Sequence, residues 1–385
     1  MITVKVATSN TRGFLKGLFE YPNDDIEFHY KEENIYEVRG GIRDILTRII
    51  KWPVFDILGV FQVVKTYNVT EDICFSYNRF LKTDKPYVIL LENPSALVNY
   101  CWDRPKWLIA KKKLKKCFTD PHLKGIVCMS KACFRYIYNL YNIPPNVRVI
   151  QNYPFVFDDM NFTYDDVKAV ANQDILNCIY VSSNVELKGG RDILYAIKRL
   201  NMENIPIKVT VITRIDTISE NDLSELNKLD NTTIVDFILS KEELNEYYKN
   251  AAVLLNPTRG DSFSLVTLEA IKYGCAILAT DIYAIKEMNI DNYNGFLTKS
   301  MFKIWDEDGT LNKYYRTHQK ELVLNGTIDE AVVDWLYKKL KLLAFNRSIL
   351  EKMCINSLKL ARETDFSAKK VMEKWKKIFN ESINI

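Results

Sequence analysis

From residue 176 onward, short runs of aliphatic and β-branched residues alternate with longer amphipathic stretches, and this alternation is what most restricts the fold. Residues 176–181, 207–212, 233–237, 252–255 and 276–279 read as strands. Residues 191–200, 240–250 and 263–273 read as the helices between them. Strands separated by helical crossovers must pair in parallel, so the pattern calls for an open α/β sheet. Two helix ends carry their own punctuation. Ser240 followed by Glu243 is a capping box, and Gly274 sits where a left-handed residue closes a helix.

The first half shows the same grammar less cleanly. Residues 3–7, 87–91, 125–129 and 147–150 read as strands, Ser130 caps a helix, and Pro144-Pro145 ends it. A length of 385 residues suits two domains. The expected division is 1–155, a polar connection at 156–175, a second domain at 176–363 and a terminal helix at 364–385. Residues 300–328 read as a long loop or insertion, and 331–363 as helical. With 47% hydrophobic and 26% charged residues the chain has an ordinary globular balance rather than a disordered one, and its richest apolar run, 54–64, is too short for a membrane span and contains Asp56. The start MITVKVATSN lacks a secretory h-region. The eight cysteines form no CxxC pair, and the three histidines lie far apart. The expectation is a cytoplasmic protein with reduced thiols and no metal centre.

Charge is uneven. Residues 1–155 hold 23 Lys and Arg against 15 Asp and Glu, a balance of +8, and the remainder balances at −4. Five lysines fall between 111 and 116, directly after Trp107, Leu108 and Ile109. The stretch from Trp107 to Lys116 suits peripheral contact with an anionic membrane at the cytoplasmic face, or simply a solvated helix face. Nucleic acid is not expected as a partner, because the basic bias is too small and lacks interleaved aromatics.

Ligands of open parallel sheets bind beyond the carboxyl ends of the strands, which directs attention to the loops at 182–190, 213–216, 238–241 and 256–264. The last is the richest. Ser262, Phe263, Ser264, Leu265 and Val266 lead into a helix whose first amides can receive a phosphate. Asp261 stands at its mouth and Glu269 eight residues on, roughly 12 Å along a helix if both were helical. Two carboxylates so placed fit two ends of an extended ligand. They also fit a dipole-complementing acid and an ordinary surface glutamate. In the first loop, Ser183, Asn184, Lys188 and Gly189 offer a point charge beside a close backbone approach, without the Walker A spacing.

The stretch 180–298 resembles the donor-binding domain of GT-B glycosyltransferases, specifically glycosyltransferase family four. The likeness rests on Lys188-Gly189, on Asp261 and Glu269 at Glu-x7-Glu spacing, on Leu268-Glu269-Ala270 with Gly274 following, and on Asn294-Gly295-Phe296. Weaker likeness extends to Ser130-Lys131 and Gln151-Asn152 in the first half. The resemblance implies two Rossmann-like domains facing a central cleft, with a C-terminal helix crossing back to the first. It implies transfer of a sugar from a UDP-, GDP- or ADP-linked donor to a hydroxyl of a glycan, lipid-linked or protein acceptor, with retention of configuration and without a metal cofactor. Lys188, Asp261 and Glu269 would be the catalytic set. Arg12, Gly13, Ser183, Asn184, Gly189, Arg214, Ile238, Leu239 and residues 262–266 would help bind donor, with Glu92 and Asn93 on the acceptor side. The sequence departs from the family at four places. Asp261 stands for the first glutamate, and Ser183 for the arginine that partners the phosphate-binding lysine; Arg191, Arg214 or Arg12 could replace it. The first glycine-rich turn is reduced to Thr11-Arg12-Gly13, and no histidine falls near Glu92-Asn93. These losses leave open a non-catalytic or inverting homologue that binds a nucleotide-sugar or a partner transferase.

Overall fold

The computed structural model describes residues 1–8, 13–31, 49–50, 52–302 and 304–384. The chain forms two compact units, one from Met1–Phe157 with Asp365–Ile385 and one from Asp158–Thr364. Each is organised around its own six-stranded parallel sheet.

The first unit contains β1 (Ile2–Val6), β2 (Ile26–His29), β3 (Val63–Lys65), β4 (Ile73–Tyr77), β5 (Phe80–Lys82), β6 (Tyr87–Leu91), β7 (Leu123–Cys128) and β8 (Arg148–Gln151). The main sheet runs β2-β1-β4-β6-β7-β8, and β3 pairs with β5 separately. Every residue of β4 and β6 is buried, as in the centre of a parallel sheet covered on both faces. The sequence reading placed no strand at β2, β3, β4 or β5; Glu27 falls within β2, and Glu71-Asp72 stand directly before β4. The C-terminal helix Ala368–Ile383 belongs to this unit. Trp375 meets Phe75 at 5.5 Å and Phe379 meets Phe28 at 5.9 Å between ring centroids.

The second unit contains β9 (Leu176–Ser182), β10 (Ile207–Thr213), β11 (Thr232–Asp236), β12 (Val253–Asn256), β13 (Ala276–Thr280) and β14 (Gly295–Thr298). Its order is β11-β10-β9-β12-β13-β14, the doubly wound Rossmann arrangement. The chain moves outward from β9 to β11, then returns to the other side of β9 at β12. The loops leaving β9 and β12 therefore emerge side by side at the switch point. Ser240 and Glu243 form the anticipated capping box, and Gly274 takes φ +71° with a built Cβ only 2.7 Å from Val167.

Three details differ from the sequence reading. The expected connection at 156–175 includes a helix, Tyr164–Ala171, started by a Thr163–Asp166 capping box. The helical stretch 331–363 is broken at Asn346 into Glu330–Phe345 and Arg347–Glu363. The insertion at 300–328 is an antiparallel bridge between Trp305 and Leu311 followed by two short helices, Lys313–Thr317 and Gln319–Leu322.

In the first unit, Glu71 is nearly buried beneath the β1–β2 edge and takes His29 Nδ1 at 3.0 Å and Lys5 Nζ at 3.3 Å. Burial pushes its carboxyl up, but its own backbone amide, His29 and Lys5 outweigh that and hold it at about 2. The unfolded carboxyl protonates near 4.5, so between those values the unfolded state binds more protons. Stability contributed by Glu71 is thus complete above about pH 4.5 and is lost as pH falls toward 2. Urea unfolding from pH 5 down to 2.5 should lose up to about 3 kcal/mol from this source. Glu71→Gln should flatten that slope, and an unchanged slope would contradict the pairing.

Candidate donor site

The loops after β9 and β12 touch through their backbones. Gly189 takes φ +70°, and a Cβ there would lie 2.1 Å from the Pro257 carbonyl oxygen, so glycine is required twice over. The Arg259 amide donates to Leu187 O at 2.9 Å. This contact carries Lys188 across to the second loop, where its Nζ donates to Gly260 O at 3.0 Å and Asp261 Oδ2 at 2.6 Å.

Asp261 is the centre of the site. Its Oδ1 accepts the amides of Ser262, Phe263 and Ser264 at 2.9, 3.3 and 3.1 Å. Converging amides beside an ammonium form an anion-binding concavity, and here the protein's own carboxylate fills it. Asp261 lies outside the helix, which runs Leu265–Lys272 rather than from Phe263. Ser264 instead adopts a left-handed conformation, φ 71°, held by a buried set of bonds. Asn256 Nδ2 donates to Ser264 Oγ at 2.8 Å and Thr267 Oγ1 at 3.0 Å. Leu265 and Val266 supply the first two helical amides, which no intrahelical carbonyl can satisfy.

Glu269 is helical and sits away from that concavity, with Tyr248 Oη donating to Oε2 at 3.2 Å and Lys241 Nζ 3.7 Å from Oε1. Burial pushes its carboxyl above the ordinary range, while Lys241 and Tyr248 pull the other way. Its side chain keeps 20% exposure, so a face remains open to a ligand. Lys241 begins the helix Lys241–Lys249, and the residues just before it, Ile238 and Leu239, form the neighbouring loop; Ile238 is 84% exposed.

The remaining expected residues divide. Ser183 is exposed at the edge of the first loop. Asn184 shapes that loop by accepting the Leu187 amide at 2.9 Å. Arg214 is paired with Asp216, and Arg191 with Asp222, where it also donates to Gly326 O. Neither arginine therefore joins Lys188. Arg12 lies outside the described residues, and Gly13 is the first residue of the helix Gly13–Glu20. On the other unit, Glu92 accepts the Tyr77 and Tyr100 hydroxyls at 2.8 and 3.2 Å. Asn93 is buried and caps the turn Pro94–Val98 by accepting from Ser95, which gives it a structural task.

Sequence reasoning missed the supports of the loop. Arg259 is buried and pairs with Asp192 at 2.9 Å, donates to Val323 O at 3.1 Å and lies over the Phe302 ring. Burial pushes the Asp192 carboxyl up to about 6, against the pull of Arg259. Trp305 Nε1 donates to Asp261 O at 2.8 Å and its ring lies 4.3 Å from Tyr283. Lys241 and Tyr248 went unnoticed because nothing in their spacing relates them to Glu269. Gly189→Ala should cost about 2–4 kcal/mol through the Pro257 clash and the left-handed backbone. Urea unfolding would test this, and a variant as stable as the parent would show that the two loops do not meet.

Residues 176–303 match the family model of Glycosyl transferases group 1. No curated protein sequence matches significantly. Among solved structures, WaaG, a glycosyltransferase involved in lipopolysaccharide biosynthesis, is similar with a TM-score of 0.60. It is 11% identical, over 98% of this chain and 99% of its own. HepE of Anabaena in complex with UDP gives 0.60 at 10% identity, over 99% and 100% of the two chains. TarM gives 0.52 at 12% identity over 80% of this chain, which spans only 54% of TarM's length. The chain thus has the GT-B fold, and its residues 176–303 match the Glycosyl transferases group 1 family.

Proposed function

We propose that the protein transfers a sugar from a nucleotide-sugar donor to a hydroxyl of a glycan, lipid-linked or protein acceptor. The observation that carries this reading is the anion-binding concavity at the switch point of the second sheet, with Lys188 on one side and the amides of Ser262, Phe263 and Ser264 on the other. A leaving nucleoside diphosphate needs such fixed positive charge, because negative charge builds on it as the glycosidic bond breaks. In the structure Asp261 supplies the anion. Donor binding in this scheme exchanges partners: the diphosphate takes Lys188 and the amides of Leu265 and Val266. The Asp261 carboxylate turns to the hydroxyls of the sugar, and Glu269 receives those of the ribose. The loop at 238–241 borders the base. Retention of configuration and freedom from metal remain proposals drawn from the family likeness. HepE has been solved with UDP and with UDP-glucose, which makes UDP-sugars the first donors to test.

A second reading has its own support. Ser183 replaces a cationic partner, and Lys188 is already neutralised by Asp261, as would suit a homologue that binds nucleotide-sugars without transferring them. Thermal melting against UDP-, GDP- and ADP-glucose, followed by assays of donor hydrolysis and transfer, separates these readings. The proposal expects a raised melting temperature and turnover; binding without turnover would favour the second reading, and neither would refute both. Lys188→Ala and Glu269→Ala should each lower kcat/KM at least about tenfold, a loss of about 1.4 kcal/mol or more. Asp261→Asn removes the internal competitor. It should tighten UDP binding measured by calorimetry while lowering kcat, and weaker UDP binding would argue against the exchange.

A further inference from the structure

The first unit carries a surface that the transferase reading does not use. The helix Leu108–Phe118 buries Ala110, Leu114 and Phe118 and turns its other face outward. On a 100° spiral that outer face is Leu108, Ile109, Lys112 and Lys116, with Lys111 and Lys115 along its border. Leu108 is 76% exposed, and Trp107 and Ile109 are each 44% exposed. Beside it lies the short helix Pro53–Ile57, which has no buried residue. The two are joined closely: Lys113 Nζ donates to Leu58 O at 3.0 Å, and a Cβ on Gly59 would lie 2.6 Å from the Ala110 backbone. Trp52, Val54, Ile57 and Leu58 are also exposed, by 43–58%. Seven large apolar side chains from two adjacent segments therefore stand in water, more than scattered surface residues would give.

Charge decides what covers them. Among the described residues, the carboxylates beside these segments are paired, Asp56 with Arg104 at 3.0 Å and Asp103 with Lys106 at 2.8 Å. No ion pair engages Lys111, Lys112, Lys115 or Lys116 among the described residues. An apolar patch edged by uncompensated lysines matches an interface in which apolar groups enter the acyl boundary while ammonium groups stay with anionic headgroups. No helix among the described residues is long and apolar enough to cross a membrane, so such contact would be peripheral.

We propose that the Trp52–Leu58 segment and the helix Leu108–Phe118 together form a docking face for an anionic lipid bilayer. The inference is independent of catalysis, since it concerns one unit and needs no donor. The test is co-sedimentation of the full chain with phosphatidylcholine vesicles with or without phosphatidylglycerol. Binding should require the anionic lipid and weaken in 0.5 M salt. Changing Lys111, Lys112, Lys115 and Lys116 to Gln should lower partitioning about 100-fold or more. Leu108→Glu with Ile109→Glu, both at exposed positions, should also abolish binding while leaving the circular dichroism spectrum and nucleotide-induced thermal shift unchanged. No binding to anionic vesicles would overturn the proposal, as would binding unaffected by both sets of changes. Binding lost with the lysines but retained in the Leu108/Ile109 variant would overturn the apolar half of the face. Failure of the thermal shift in the parent protein would bear on donor recognition alone.

Discussion

The second unit depends on bringing two loops from opposite sides of a strand-order reversal into backbone contact. Gly189 fits against the Pro257 carbonyl because it has no Cβ, and the Leu187 carbonyl receives the Arg259 amide. Only then can the Lys188 ammonium reach Asp261, and only then do three amides and one cation surround a single point. The sheet order sets where this occurs, since a doubly wound sheet separates its crossovers at one seam. The chemistry follows from topology, with glycine as the permissive element.

That point holds the Asp261 carboxylate. An empty cluster of amides and an ammonium would be costly to leave unpaired in a partly enclosed site. Asp261 removes the cost internally. In the proposed function an incoming diphosphate competes with a carboxylate already hydrogen-bonded four times. Aspartate, one methylene shorter than the glutamate of the family pattern, sits close enough to its own following amides to fold back on them.

Much of this was legible in the sequence. Alternating strands and helices gave the second sheet, and the small polar residues before Leu265 marked the helix mouth. Lys188, Asp261 and Glu269 could be singled out from spacing and family likeness. The structure joins the first two and sets Glu269 apart with Tyr248 and Lys241. What stayed hidden were partnerships between residues distant in sequence. Nothing in the sequence relates Arg259 to Asp192, sixty-seven positions earlier, yet the two are buried together as a pair. Asn93 looked available yet serves as a cap. The strands β2 and β4 adjoin acidic residues that mask their pattern, and their pairing with β1 comes from packing between distant segments.

The indole of Trp305 extends the site beyond its recognisable motif. The family match ends at residue 303, yet the residue that fixes the Asp261 carbonyl comes just after it. The Trp305–Leu311 bridge and the Val323 carbonyl brace the same loop from this outlying segment, and the Phe302 ring does so from its near edge. The appendage thus works as an adjustable buttress. The position of the Asp261 carboxylate is therefore set in part by residues that lie outside the family match.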